Sequence, residues 1–155
     1  MARVGTRVSA AGRAIAVVAV LAGLLALILT SCPANRDGIP GQLAAAKEET
    51  QSAVRSAALA VQLFSDGRAT STLTSVQITD MRDQIVKAYK DIASLKADDR
   101  LDLKHQRLLT TAMTDFVDDL NTAAAAVRAP HRPDLLPLRQ RLLDGVDTLE
   151  RDYDR

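Results

Sequence analysis

A seven-residue repeat of apolar side chains constrains the fold of this chain more than any other feature of its sequence. The repeat runs in two interleaved series between residues 78 and 95. Residues three and four apart lie on the same face of an α-helix, so the spacing predicts a helix with one apolar stripe. That stripe consists of Ile78, Met81, Ile85, Ala88, Ile92 and Leu95. Such a helix is stable only when neighbouring elements cover its stripe.

The preceding segment, residues 42–65, has the same helical spacing and is expected to end at Asp66-Gly67, since glycine can take the left-handed conformation that closes a helix. The second helix is expected to begin between Thr72 and Thr74, where Thr74-Ser75-Val76-Gln77 fits a capping box, and to end near Lys96. The stripe of the first helix comprises Leu43, Thr50, Val54, Ala57, Val61 and Phe64.

Two further helices follow. The third is expected to be capped by Asp98 or Asp99 and to stop before Pro130, and the fourth to be capped by Asp134. Gly145 lies inside the fourth helix, where it costs about 1 kcal/mol relative to alanine. The expected inward positions of the third helix are Leu101, Leu108, Ala112, Phe116, Leu120, Ala123 and Val127, and those of the fourth are Leu135, Leu138, Leu142, Val146 and Leu149.

Four amphipathic helices joined by short loops must cover one another's stripes. The economical packing is an antiparallel up-down bundle. The sequence therefore predicts an all-α domain, a four-helix bundle over residues 42–155, preceded by a short tether over residues 32–41.

The first 31 residues have the pattern of a cleaved signal peptide. Arg3, Arg7 and Arg13 precede an uncharged apolar run over residues 14–29. A stable spanning helix needs about 20 apolar residues, so this run is short for a permanent membrane span. An uncleaved anchor helix with a structural Cys32 is the alternative.

The end of the run, Leu29-Thr30-Ser31-Cys32, resembles the lipobox of bacterial lipoproteins. That resemblance implies cleavage between Ser31 and Cys32 and attachment of diacylglycerol to the Cys32 thiol. The mature protein would then be held at the outer face of the cell membrane by acyl chains, without a transmembrane helix. The helical part is loosely similar to small, uncharacterised lipoproteins of actinobacteria. That resemblance implies a role for Cys32, as the site of lipid attachment, and for no other residue.

Charge and cysteine content limit what this chain can bind and how its fold can be stabilised. Without the three signal-peptide arginines, the 20 basic residues fall to 17, against 19 acidic ones. This balance argues against nucleic acid, which requires a clustered positive surface. Cys32 is the one cysteine in the sequence, so no intrachain disulfide can form.

Sequence motifs for catalysis and for cofactors are lacking, so we expect no catalytic residue, no metal ion and no cofactor. Asp102 and His105 have the i, i+3 spacing of a helical acid–base or metal-binding pair, but a boundary histidine explains His105 equally well. His131, between two prolines, is expected to be an exposed loop residue. A basic group around the third loop would suit lipid headgroups or an acidic partner, with a solvated loop as the alternative; it comprises Arg128, His131, Arg132, Arg139 and Arg141.

These features predict a non-enzymatic binding or structural protein of the bacterial envelope, with another envelope protein as a partner. A carrier of a small apolar ligand is the alternative, and it requires an enclosed cavity lined by Met81, Met113 and Phe116. An enzyme of another kind would require a polar cleft around Asp102 and His105.

Overall fold

A computed structural model of the protein describes residues 38–131 and 133–155, which belong to one compact unit over residues 36–155. Throughout that part of the chain, the secondary structure is helical and no strand is present. The helices are α1 (Gly38–Ser65), α2 (Ser71–Ala93), α3 (Arg100–Arg128) and α4 (Leu136–Tyr153). The predicted all-α fold is confirmed.

Contacts between side chains and neighbouring helices establish the direction of each helix. Lys47, early in α1, lies 2.9 Å from the Asp154 carboxylate, just beyond α4, so these helices run antiparallel. Gln106, early in α3, donates to the Ile92 carbonyl at the end of α2 at 2.7 Å, so this pair is antiparallel too. Helix α1 also packs against α3 across the bundle, whereas the backbones of α2 and α4 do not approach each other closely within the described residues. The arrangement is the predicted up-down four-helix bundle.

The predicted stripes supply most of the core. Every position predicted for the first and fourth stripes is buried. In the second stripe, Met81 and Leu95, which lies just beyond the end of α2, are partly buried and the other positions are buried. Burial of these aliphatic side chains is the main stabilising contribution to a domain without a disulfide. The largest completely buried side chains include Leu43, Ile85, Leu109, Met113, Leu120 and Leu142.

Helix α1 begins at Gly38, earlier than the expected start at Gln42, so residues 38–41 are helical and are not part of a tether. Gly38 has a φ of 78°, which glycine adopts without a side-chain clash. Pro40 is tolerated because the first-turn amides of a helix have no internal acceptor. Ile39 packs against the core and accounts for the early start. Residues 32–37 of the expected tether lie outside the described residues.

The expected capping box of α2 is wrong. Thr70 is the N-cap, and its hydroxyl accepts a hydrogen bond from the Leu73 amide at 3.3 Å. Thr74 lies within the helix and is completely buried. The helix therefore begins at Ser71 and ends at Ala93, three residues before Lys96. Several hydroxyl residues in succession offered competing caps, and burial of the Thr74 position decided between them.

Asp99 caps α3 by accepting from the Leu101 amide at 2.8 Å. The inward assignment of Leu101 is wrong, since this residue is 53% exposed. Asp134 accepts from the Leu136 amide at 3.0 Å, although the helical N-cap position itself is Leu135. In the early part of α3, the core is filled by Leu109 and Met113 instead.

A bilayer-spanning helix would need a long, weakly charged apolar stretch. None of the helices within residues 38–131 and 133–155 has that combination of length and apolar character.

Candidate functional site

A groove of about 610 Å³ separates the outward edges of α3 and α4. Its apolar floor is formed by two residues at the edge of the core, Leu108 and Ala112, and by two buried residues, Phe116 and Leu149. The exposed hydroxyl residues Thr111 and Thr148 lie along it. Binding sites commonly have this combination of an apolar surface and a few polar groups.

Gly145 determines how α4 approaches the floor. A Cβ atom at this position would lie 2.7 Å from Cε1 of Phe116 and 3.3 Å from its Cζ. The aromatic ring therefore rests against the α4 backbone, where any other residue would collide with it. Residue type alone makes Gly145 a mild liability of the helix, but in the structure its lack of a side chain makes room for Phe116.

Both edges of the groove carry carboxylates, which we call the acidic rim. Its members on α3 are Asp115, Asp118 and Asp119, and its members on α4 are Asp144 and Asp152. Arg141 is the one basic residue that lines the groove. The lining of the groove therefore carries a net negative charge, although the chain as a whole is close to neutral.

Few of the rim charges are compensated. Arg141 Nη1 lies 3.1 Å from Asp119 Oδ1, and Arg155 Nη1 lies 3.3 Å from Asp152 Oδ1. Asp144 accepts a neutral hydrogen bond from Gln140 at 2.8 Å. Within the described part of the chain, the rim residues Asp115 and Asp118 form no ion pair.

The rim does not form a chelating site. Across residues 38–131 and 133–155, no group of three or more histidine, cysteine, aspartate or glutamate side chains is placed to hold a metal ion. The carboxylates instead present separate negative charges along the two edges of the groove. Such an arrangement is suited to a ligand with several distributed positive charges.

His105 packs as part of an aromatic stack. Its ring lies parallel to that of Tyr153, with centroids 4.0 Å apart and an interplanar angle of 18°. Lys47 Nζ lies 4.6 Å from the Tyr153 ring centroid, on which its charge forms a cation–π contact. Asp102 forms no hydrogen bond with His105, and the His105 Nε2 atom is buried without a partner among the described residues. The structure therefore joins α3 to α4 through this histidine, and it does not assemble the Asp102–His105 pair.

The basic residues around the third loop do not form one surface. Arg128 donates to Ser75 Oγ at 3.3 Å, whereas Arg141 points into the groove and pairs with Asp119. Arg139 is partly buried, and its Nε has no hydrogen-bond partner in the described part of the chain. His131 is exposed, as expected for a loop residue, and Arg132 lies outside the described residues.

The three residues expected to line a carrier cavity belong to the same hydrophobic core but do not line the groove together. Met113 is completely buried in the core, Met81 is partly buried on α2, and Phe116 lies in the groove floor. The groove is lined by neither methionine and lies at the surface. It is thus a different kind of site from the enclosed cavity that the carrier hypothesis requires.

Ser31 and Cys32, the residues of the expected cleavage and lipidation site, lie outside the described residues, so both assignments stay predictions. The groove itself was not anticipated from the sequence. The one feature of the sequence that could have indicated it is the clustering of Asp115, Asp118 and Asp119 within about one turn of α3, next to the apolar stripe.

No protein-family model, curated protein or solved structure matches this chain.

Proposed function

We propose that this chain is a lipid-anchored binding protein of the bacterial cell envelope. In this proposal Cys32 carries the lipid, the helical domain lies at the outer face of the cell membrane, and the α3–α4 groove binds a partner without catalysing a reaction. The lipobox-like sequence Leu29-Thr30-Ser31-Cys32 supports the anchor.

The groove is the observation that carries the binding role. Water in contact with an apolar surface is unfavourable, so a bundle built for stability alone gains by closing such a surface. Concave apolar surfaces that stay open are typical of binding sites. The partner would cover the floor formed by Leu108, Ala112, Phe116 and Leu149.

Mass spectrometry of the mature protein tests the anchor. The amino-terminal peptide should begin at Cys32 and carry a diacylglyceryl group, and radiolabelled palmitate should be incorporated in growing cells. The Cys32→Ala variant should incorporate no palmitate. An intact Met1 peptide in the membrane-bound protein would instead support an uncleaved anchor helix and contradict lipidation.

Site-specific crosslinking in intact cells tests the groove. A photo-crosslinking amino acid at Thr111, an exposed groove residue, should give a reproducible adduct with one partner. Thr72, exposed at the start of α2, is the matched control and should not give that adduct. Equal adducts from both positions, or none from Thr111 and Thr148, would contradict a binding role for the groove.

A further inference from the structure

We infer that the α3–α4 groove binds a basic amphipathic helix of a partner protein. The inference rests on the proposed function, because it names the chemistry of the partner for the same groove. Three properties of the groove lead to it: its length, its apolar floor and the charge on both of its edges.

The groove is long enough for a helical segment. Its lining runs from Leu108 to Asp119 along α3 and from Arg141 to Asp152 along α4. At a rise of 1.5 Å per residue, each edge is about 16 Å long, or about three helical turns. A partner helix lying in the groove would present apolar residues with i, i+3/i+4 and i+7 spacing to the floor.

The floor determines which face of the partner is buried. Leu108, Ala112, Phe116 and Leu149 offer no charged group. Burial of a charge against them would carry a large desolvation penalty, so the facing stripe must be apolar. An entirely charged or extended polar segment does not meet this condition.

The acidic rim determines the charge of the partner. Asp115, Asp118 and Asp119 flank one side of the floor, while Asp144 and Asp152 flank the other. A complementary helix therefore carries lysine or arginine on both sides of its apolar stripe. The same rim disfavours anionic lipid headgroups and nucleic acid as occupants of the groove.

The spread of the rim favours a helix over a small amphiphile. The carboxylates belong to two helices and extend over about one turn of α3, from Asp115 to Asp119, and about two turns of α4, from Asp144 to Asp152. Three of them, Asp115, Asp118 and Asp144, form no ion pair within the described residues. One ammonium group could not compensate carboxylates on both edges, whereas a helix with lysine or arginine on both sides of its stripe could.

Fluorescence anisotropy with a designed peptide tests the inference. The full-length chain is purified into nanodiscs of zwitterionic phosphatidylcholine, and empty nanodiscs give the background. The probe is a labelled 16-residue helical peptide with a leucine stripe flanked by lysines. A second peptide has the same stripe flanked by glutamates. The lysine peptide should bind at least tenfold more tightly, and its affinity should fall as NaCl rises from about 50 to about 500 mM, because salt screens exposed charges.

Two matched variants locate the binding. The D115N/D118N/D144N variant should weaken binding of the lysine peptide at least tenfold. The D66N/D80N/D91N variant makes the same change in net charge at exposed positions outside the groove and should bind like the wild type. Equal weakening by both variants would show attraction to net charge only and would overturn the inference.

Charge reversal provides a gain-of-function test. In D115K/D144K, both edges gain a lysine, and preference should shift from the lysine peptide to the glutamate peptide. Circular dichroism confirms that each variant is folded. Equal binding of both peptides to the wild type, or competition by dodecylamine as effective as that of the peptide, would overturn the helix assignment.

These outcomes are separable from failure of the proposed function. A crosslinked partner at Thr111 together with no binding of the lysine peptide would retain the binding role and reject a basic helix. Sedimentation velocity adds one more outcome. If the wild type self-associates and D115N/D118N/D144N does not, the groove is occupied by a second copy of this chain, and the inference is overturned.

Discussion

Helix α3 packs against α2 on one side and against α4 on the other, and the two seams are built differently. At the α2–α3 seam, polar side chains bridge the helices. Gln106 Nε2 donates to the Ile92 carbonyl at 2.7 Å and to the Leu95 carbonyl at 3.0 Å, which closes the end of α2 onto α3. Two arginines add side-chain contacts further along the seam: Arg82 with Asn121, and Arg128 with Ser75.

The α3–α4 seam instead has acidic groups on both helices. One ion pair, Arg141 with Asp119, crosses it, and the remaining rim carboxylates repel one another. Like charges on neighbouring helical positions are destabilising, so selection for stability alone would place opposite charges here. Proteins depart from such rules mainly at functional sites. We therefore interpret the α2–α3 seam as the one closed by polar bridges, and the α3–α4 groove as the surface that the proposed function uses for binding.

The largest loss of stability is expected from a charge placed in the core, on α2. Ile85 is completely buried on α2, so Ile85→Asp would place an unpaired charge in the core. We expect a loss of more than about 4 kcal/mol in the free energy of unfolding, enough to abolish a cooperative thermal transition. Val76→Asp is the control, because Val76 is 53% exposed on the same helix and should change stability by about 0.5 kcal/mol or less. A cooperative melt of Ile85→Asp at the wild-type temperature would contradict the assigned core.

The next largest loss of stability is expected where Gly145 of α4 packs closely against Phe116 of α3. Gly145→Ala gains about 1 kcal/mol of helix propensity but overpacks Phe116, which costs about 1–3 kcal/mol. We expect a net loss of up to about 2 kcal/mol in the free energy of unfolding, measured by urea denaturation. Phe116→Leu in the same chain should recover part of it, as a double-mutant cycle would show. Gly41→Ala in α1 is the propensity control and should not destabilise. A more stable Gly145→Ala protein would show that α4 lies farther from Phe116.

Removal of the Gln106 amide, which bridges α2 and α3, should cost a smaller amount of stability. Gln106→Ala removes both hydrogen bonds to the end of α2, and we expect a loss of about 1 kcal/mol in the free energy of unfolding. Gln84→Ala, at an exposed position on α2, is the matched control. If the two variants were equally stable by chemical denaturation, the seam would not depend on this amide.

An effect of similar size is expected at the aromatic stack that joins α3 and α4. Tyr153→Leu keeps an apolar side chain but loses the stacking with His105 and the cation–π contact of Lys47. The expected loss is about 0.5–1.5 kcal/mol by thermal unfolding. Tyr89→Leu on α2 removes a 38% exposed tyrosine without such a stack and serves as control. Equal effects of the two substitutions would reject a stabilising role for the stack.

The core was largely predictable from the sequence because one helical period places its members on one face. The stripes of α1 and α4 needed no correction. The prediction that Leu101 is buried was wrong. The apolar periodicity of α3 continues into the first turn of the helix, but Leu101 is exposed there. The prediction that Thr74 caps α2 was also wrong. Thr70 offers an equivalent hydroxyl one turn earlier and is the N-cap, whereas Thr74 is buried within the helix.

The candidate site was much less predictable. A groove depends on which faces of α3 and α4 meet, and the pattern within either helix does not contain that information. Gly145 illustrates the limit: its cost to an isolated helix follows from its residue type, whereas its use follows from the position of Phe116 on another helix. The acidic residues were visible in the sequence, but their distribution over two edges of one groove required the fold.

The most direct test of the difference between the seams is the stability of D115N/D118N/D144N at two salt concentrations. Neutralising these rim carboxylates should raise the free energy of unfolding by about 1 kcal/mol at low ionic strength, because it removes several like-charge neighbours. The gain should largely disappear near 1 M NaCl, where the Debye length is about 3 Å. A variant that is less stable than the wild type at low salt, or a gain that salt leaves unchanged, would contradict the account.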